Sequence, residues 1–209
     1  MKSIVSEVFL GELQDGQGHI DYKIDLRREG WQNTACLSFA KLPFSTLVNT
    51  KTTFLHPEEL QRFSQITFPR RKHSFLLGRY VAKKALSQYL PEKQNAILVR
   101  SGVFQQPFVA NLANNNLGIS ISHSYQIGAC IVFPQEHPMG LDVELIRSED
   151  LGRISFPMTE NERRLQFQVN KPVELFQAIL WTVKEALSKV LATGLMTPLK
   201  VYEIKSIEE

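Results

Sequence analysis

The sequence predicts an α+β protein with short antiparallel strands. Three observations carry this. Apolar and polar residues alternate along "HIDYKIDL" and "ACLSFAKL", the period of a half-buried strand. Longer stretches such as "PRRKHSFLLGRYVAKKALSQYL" are bounded by prolines and read as helices. Short strand-like pieces, "GISISHS" and "GACIVF", lie between the helical stretches.

In chain order, "HIDYKIDL" and "ACLSFAKL" are strands separated by a turn in "RREGWQNT". "HPEELQRFSQI" is a short helix. The next helix begins near Pro69 and ends before Pro91. "GVFQQPF" and "NLANNNLG" are rich in turn residues. "GISISHS", "GACIVF" and, after a break at "PQEHP", "GLDVELI" are strands. "TENE", Thr159 to Glu162, is a capping-box signature opening the helix "RRLQFQV". A last helix spans about Pro172 to Leu191, with Pro172 suited to its first turn. "LKVYEIKSI" closes the chain as a strand. No low-complexity segment and no short repeat is visible. The "PQEHP" stretch is the most plausible internal boundary.

The 209 residues are 43% hydrophobic and 22% charged, ordinary for a soluble globular protein. With 24 basic and 21 acidic residues, the net charge of +3 is too balanced to argue for nucleic acid. Cys36 and Cys130 sit in apolar runs far apart, as buried thiols of a reducing compartment do. The first residues are too short and too acidic a stretch for a signal peptide, and no apolar run approaches a membrane span. The expected location is the cytoplasm.

"MGLDVELI" places Asp142 and Glu144 on one face of a strand, with Leu141, Val143 and Leu145 on the other. Two like charges side by side repel, and a divalent cation is the natural group to offset them. On the last helix, about 100° per residue puts Phe176, Ile179, Leu180, Val183, Leu187 and Val190 on one apolar face. Trp181, Glu185 and Lys189 fall opposite. A solvated face with a Glu–Lys pair accounts for that arrangement. The tryptophan argues instead that the face is covered, which would let Glu185 supply a third carboxylate to a metal site. Lys72, Arg79 and Lys83 fall within about 40° on their helix, as a solvated basic face or a phosphate-binding stripe. Ser122 and His123 lie at a strand end or turn. No P-loop, dinucleotide fingerprint, zinc spacing or nucleophile elbow is present.

"SISHS", "GLDVE" and "WTVKEALSK", in this order and spacing, resemble the 4′-phosphopantetheinyl transferases of the surfactin-synthetase type. The likeness reaches back through "HPEELQRFSQITFPRRKHSFLLGR" and covers about Ala35 to Tyr202. It implies two similar α/β halves related by a pseudo-twofold, 1–135 and 136–209, with coenzyme A and a magnesium ion in the cleft between them. It implies an enzyme that moves the phosphopantetheine arm of coenzyme A onto a carrier-protein serine, leaving adenosine 3′,5′-bisphosphate. Asp142, Glu144 and Glu185 would gather the magnesium, and Lys189 would contact the phosphates. Glu185, or a water it orients, would take the serine proton. Ser122 and His123 would hold coenzyme A phosphates, and Arg62 would lie near the 3′-phosphate. The expected partners are coenzyme A and an acyl or peptidyl carrier protein, with no nucleic acid and no membrane, and the chain is expected to act as a monomer.

The sequence departs from the family pattern at Glu59 and Gln106, which stand where lysines are often found. The expected consequence is either weaker coenzyme A binding or a shift of its charge contacts to Arg70, Arg71 or Arg79. About 30 residues at the front have no counterpart in the shortest members, and the second half is shorter at its end than is typical. The segment "LIRSEDLGRISFPMTENERRLQF" offers Arg147, Arg153, Arg163 and Arg164 beside Phe156 and Met158, either as a carrier-docking patch or as residues packing under the capped helix. Two rival functions are a metal-dependent phosphodiesterase or nuclease and a degenerate carrier-binding member without catalysis. Many nucleases place the lysine two residues after a glutamate on one strand; here Lys184 directly precedes Glu185 on a helix.

Overall fold

A computed structural model describes residues 18–103, 105–112, 116–146, 158–169 and 171–207. Strands β1 (His19–Arg28) and β2 (Trp31–Lys41) form a hairpin. Its turn is at Glu29 and Gly30, with Gly30 at φ 71°, so both strands run further into "RREGWQNT" than the alternation alone marks. Three helices follow: α1 (Phe44–Phe54), α2 (Pro57–Gln65) and α3 (Pro69–Leu86). The short pair β3 (Val99–Ser101) and β4 (Pro107–Val109) precedes β5 (Leu117–Ser124) and β6 (Ile127–Pro134). The main sheet is antiparallel throughout, in the order β1-β2-β6-β5. Helices α4 (Glu160–Gln166) and α5 (Val173–Val190) complete the described elements, with short 3₁₀ turns. The α+β class is as expected. None of the described helices is long and apolar enough to cross a membrane.

Helix α3 lies on one face of the sheet. Leu76, Leu77, Val81, Ala82, Ala85 and Leu86 are all fully buried, packed with Ala40, Cys130 and Val132. Gly128 permits the close approach, because a Cβ there would stand 2.7 Å from Leu77 Cγ. Cys36 and Cys130 are free, buried thiols, and burial pushes both thiol pKa values up. The opposite face carries a second apolar cluster, Leu37, Phe39, Ala129, Ile131 and Phe133, against which Met139, Leu141 and Val143 pack.

The two helix pairs α2–α3 and α4–α5 repeat one device. Helix α2 is capped by His56, and its third residue, Glu59, returns a bond to the His56 N–H. Glu59 also pairs with Lys83 on α3 at 2.8 Å and accepts the Val99 N–H at 3.1 Å. Helix α4 is capped by Thr159, and Glu162 returns the bond. Glu162 pairs with Lys184 on α5 at 2.6 Å and accepts the Ile204 N–H at 3.0 Å. All four charged side chains are 0–2% exposed. Both long helices have 18 residues. The sequence carries the repeat as "KKALSQYL" (83–90) and "KEALSKVL" (184–191), a spacing too wide for a search for short repeats. This internal likeness is what two similar halves would leave.

Several expectations are corrected. "LKVYEIKSI" is not a strand: Leu199–Tyr202 is a 3₁₀ turn held by the Thr193–Tyr202 hydroxyl contact. "GLDVELI" joins no backbone ladder among the described residues. Helix α1, in "FSTLVNTKTTF", was absent from the sequence reading; Pro43 is its N-cap, and its threonines lower helix propensity. Pro172 caps α5 rather than occupying its first turn. On α5 the fully buried positions include Phe176, Leu180, Lys184 and Ser188, a stripe at four-residue spacing, while Ile179, Val183, Leu187 and Val190 are half-buried. The buried ion pair rotates the helix's core face away from the purely apolar one.

Candidate functional site

Strand β5 separates the site into two sides. Its residues alternate, so Ile119, Ile121 and His123 face α3, and Ser120, Ser122 and Ser124 face the other side of the sheet. Ser122 and His123 are neighbours in sequence and cannot both address one ligand from the same side. If both hold coenzyme A phosphates, as the resemblance implies, they do so from opposite faces of β5.

On the α3 side is a cavity of about 540 Å³. Arg62, Arg71, Arg79 and His123 line it, so three of the four arginines named from the sequence converge with His123. Arg79 is only 8% exposed; its Nε stands 3.1 Å from Glu59 Oε1 and its guanidinium lies 5.0 Å over the Phe75 ring. Burial lowers its pKa, partly opposed by Glu59. It presents a fixed cation to the cavity wall. The proposed stripe of Lys72, Arg79 and Lys83 does not form. Lys83 is wholly buried between Glu59 and the Ile97 carbonyl, and Lys72 lies over the Phe63 ring. Glu59 is therefore a buried structural carboxylate, not a phosphate residue changed in sign. His123 has its pKa lowered, chiefly by desolvation, with Lys189 and His73 adding and Asp142 opposing. Its exposed ring lets solvent moderate that effect.

On the other side, the segment "GLDVELI" runs parallel to β5, joined through serine hydroxyls. Leu141, Val143 and Leu145 donate their N–H groups to Ser120, Ser122 and Ser124 at 3.1, 3.3 and 3.1 Å. The expected division of faces holds: Leu141 and Val143 pack on the sheet, and Asp142 and Glu144 turn to the serines. Ser122 donates to Asp142 Oδ1 at 2.7 Å, and Ser124 to Glu144 Oε2 at 2.9 Å. From α5, Lys189 donates to Asp142 Oδ1 at 2.7 Å and to the Leu141 carbonyl at 2.9 Å. Gly140 lets the segment approach α5, because a Cβ there would stand 2.0 Å from the Ala186 carbonyl oxygen. The Glu185 pKa is raised, first by desolvation and then by Asp142 and Glu144, with Lys189 opposing.

A metal site can be tested on these residues. Among the described residues, no three of His, Cys, Asp and Glu stand close enough to share one ion. Asp142, Glu144 and Glu185 are not gathered as one such group here: Ser124 bonds one oxygen of Glu144, and Ser122 and Lys189 bond one oxygen of Asp142, leaving each acid a second oxygen. Asp142 Oδ2 and Glu185 Oε1 are nevertheless buried without a hydrogen-bond partner. Two hard carboxylate oxygens fit magnesium, which commonly takes one or two carboxylates and completes its shell with water and substrate phosphate.

A smaller cavity of about 110 Å³ lies beside the large one. It shares Gln105, Pro107 and Ile121 with the large one and reaches Ser188 and Lys189. Gln106 lines it too, so this departure from the family pattern lies in the smaller cavity and not among the arginines. Arg147, Arg153 and Phe156 of the candidate docking segment lie outside the described residues. Arg163 is exposed and bonds the Met158 carbonyl, and Arg164 pairs with Glu160. The repeat between α3 and α5 was the signal sequence reasoning missed. It sets Lys84 against Glu185 and Gln88 against Lys189, so only the second copy carries the acid and the ammonium.

Comparison with known proteins finds related sequences. Residues 138–209 match the model of the 4′-phosphopantetheinyl transferase superfamily. A 4′-phosphopantetheinyl transferase gsp of Aneurinibacillus migulanus is 27% identical over 172 residues, covering 79% of this chain and 69% of that protein. A holo-(acyl-carrier-protein) synthase from Bacillus anthracis, solved with CoA (3′,5′-ADP), matches over 55% of this chain and 92% of its own at 21% identity. Its TM-score of 0.39 is too low to bear on the fold. The matched segment contains "GLDVE" and "WTVKEALSK", and over it the chain is similar to the 4′-phosphopantetheinyl transferase superfamily.

Proposed function

We propose that this protein transfers the 4′-phosphopantetheine arm of coenzyme A to a serine of an acyl or peptidyl carrier protein, releasing adenosine 3′,5′-bisphosphate. The observation that carries this reading is a pair of cavities sharing Gln105, Pro107 and Ile121, one lined by Arg62, Arg71, Arg79 and His123 and the other reaching Lys189, which bonds Asp142. The cationic cavity suits the phosphorylated nucleotide, and the Lys189 side suits the pyrophosphate. Asp142 and Glu185 are the residues that would hold magnesium, with Glu144 beside them. A magnesium ion held there would supply charge stabilisation as the phosphoanhydride breaks.

The chain's own groups supply the rest. Lys189, anchored on Asp142 and the Leu141 carbonyl, holds an ammonium where a phosphate oxygen would sit. His123 lines the cavity, where a ring N–H would face a bound phosphate. Glu185, with its raised pKa, is suited to take the serine proton directly or through a water. Ser122 acts through Asp142 in this reading. The division of the chain at 135/136 belongs to the same proposal and is supported by the repeated helix pair. So do the cytoplasmic location and monomeric state.

Incubation with coenzyme A, magnesium and a panel of apo carrier proteins, read by mass spectrometry, tests the activity. A gain of one phosphopantetheine on a carrier is expected. Coenzyme A cleavage without transfer would favour a phosphodiesterase, and carrier binding without either would favour a degenerate member. A second expectation concerns the nucleotide. Calorimetry should show coenzyme A binding roughly ten- to a hundredfold more tightly than 3′-dephospho-coenzyme A, the worth of a charge-assisted contact of ~1.5–3 kcal/mol. Equal affinities would remove Arg62, Arg71 and Arg79 from the ligand set.

A further inference from the structure

The segment carrying Asp142 and Glu144 is fixed in an unusual way. An extended segment beside a sheet normally satisfies its N–H groups on backbone carbonyls. Here three serine hydroxyls replace them, in a constant register of Ser120 to Leu141, Ser122 to Val143 and Ser124 to Leu145. The three serines are 4–8% exposed. A hydroxyl has one proton to give and can accept more than one. Ser122 and Ser124 use both capacities at once: each accepts the N–H of one residue and donates to the carboxylate of the residue before it. The same atom thus sets the register of the backbone and the direction of the acid. Ser120 accepts the Leu141 N–H, and the residue preceding Leu141 is Gly140, which has no carboxylate to aim.

We infer that Ser124 is a positioning residue for the acidic cluster, coupling the seating of the segment 141–145 on β5 to the aim of Glu144. This rests on the transferase reading for its purpose, since the acid aimed is one expected beside a divalent cation. Without the Ser124 hydroxyl, Glu144 has no donor holding Oε2 in place, and its charge relaxes toward solvent. Ser124 touches neither substrate nor metal in this assignment; it acts through Glu144. Partners that orient acidic ligands commonly change metal affinity by roughly ten- to a hundredfold when removed.

Ser120 provides the internal control. Ser120→Ala and Ser124→Ala each remove one acceptor of a backbone N–H, but only the second also releases a carboxylate. The magnesium dissociation constant, measured by calorimetry with coenzyme A bound, is expected to rise roughly tenfold or more in Ser124→Ala and to change less than about threefold in Ser120→Ala. Amide exchange should quicken at Leu145 in the first variant and at Leu141 in the second. Unchanged magnesium affinity in Ser124→Ala, or an equal loss in both variants, would overturn the assignment. Neither measurement depends on turnover. Failure of the wild-type protein to modify any carrier would count against the proposed activity, while the comparison of the two variants would still decide the role of Ser124.

Discussion

Asp142→Ala is expected to abolish arm transfer while leaving the fold intact. Asp142 has two occupied roles and one open one. Its Oδ1 receives Ser122 and Lys189, and its Oδ2 is buried without a partner. Removing the carboxylate takes away a candidate magnesium ligand and the anchor of Lys189 together. Loss of metal-assisted charge stabilisation costs several kcal/mol in the transition state, and each ~1.4 kcal/mol is a decade in rate. A fall in kcat of roughly a thousandfold or more follows. The structural cost is smaller. Lys189 is 28% exposed at its side chain, so its ammonium can turn to water, and it keeps the Leu141 carbonyl as acceptor. Thermal unfolding should therefore change little. Carrier modification followed by mass spectrometry, at saturating coenzyme A and graded magnesium, reads the effect. Near-normal turnover at limiting magnesium would remove Asp142 from the site.

The largest effect on stability is expected at Glu59. This carboxylate is 2% exposed and receives the His56 and Val99 N–H groups while pairing with Arg79 and Lys83. Glu59→Ala leaves Lys83 fully buried with only a neutral acceptor, the Ile97 carbonyl. Removing one partner of a buried pair typically costs ~3–5 kcal/mol, because the remaining charge stays desolvated. For a chain of this size that is a fall in Tm of roughly 6–20 °C. Glu59→Lys makes the sharper test. If Glu59 were a phosphate residue of altered charge, lysine would tighten coenzyme A binding. The structure requires the opposite, because lysine would bring three cations together in a buried space. Chemical denaturation and coenzyme A titration of both variants distinguish the two. A loss below about 1 kcal/mol in Glu59→Ala, or tighter coenzyme A in Glu59→Lys, would contradict the buried-carboxylate role. The repeat extends the expectation to Glu162→Ala, since Glu162 makes the same set of bonds to Lys184, Thr159 and Ile204.

By itself the sequence determined the α+β class, the helices from Pro57 and Pro69, the capping box at Thr159, and the opposed faces of "GLDVELI". These are local properties: periodicity fixes which side chains share a face, and capping residues fix where a helix can begin. The ordered motifs also pointed to the superfamily that residues 138–209 match. Only the tertiary structure decided what stands opposite each face. Charge led the sequence reading to set Lys83 on a solvated basic face or a phosphate stripe, and nothing in it marked Lys184 for burial. A buried glutamate from a neighbouring helix turns both lysines inward, and no window of local sequence contains that partner. Ser122 and His123 are adjacent letters, but the sheet divides them, one to a carboxylate and the other to a cavity. The segment 140–146 has the alternation of a strand, yet its N–H groups go to side-chain hydroxyls 21 positions back. Hydrogen-bond partners that distant are chosen by packing, because the energy of a buried N–H depends on what the fold brings within reach and not on the residue that bears it.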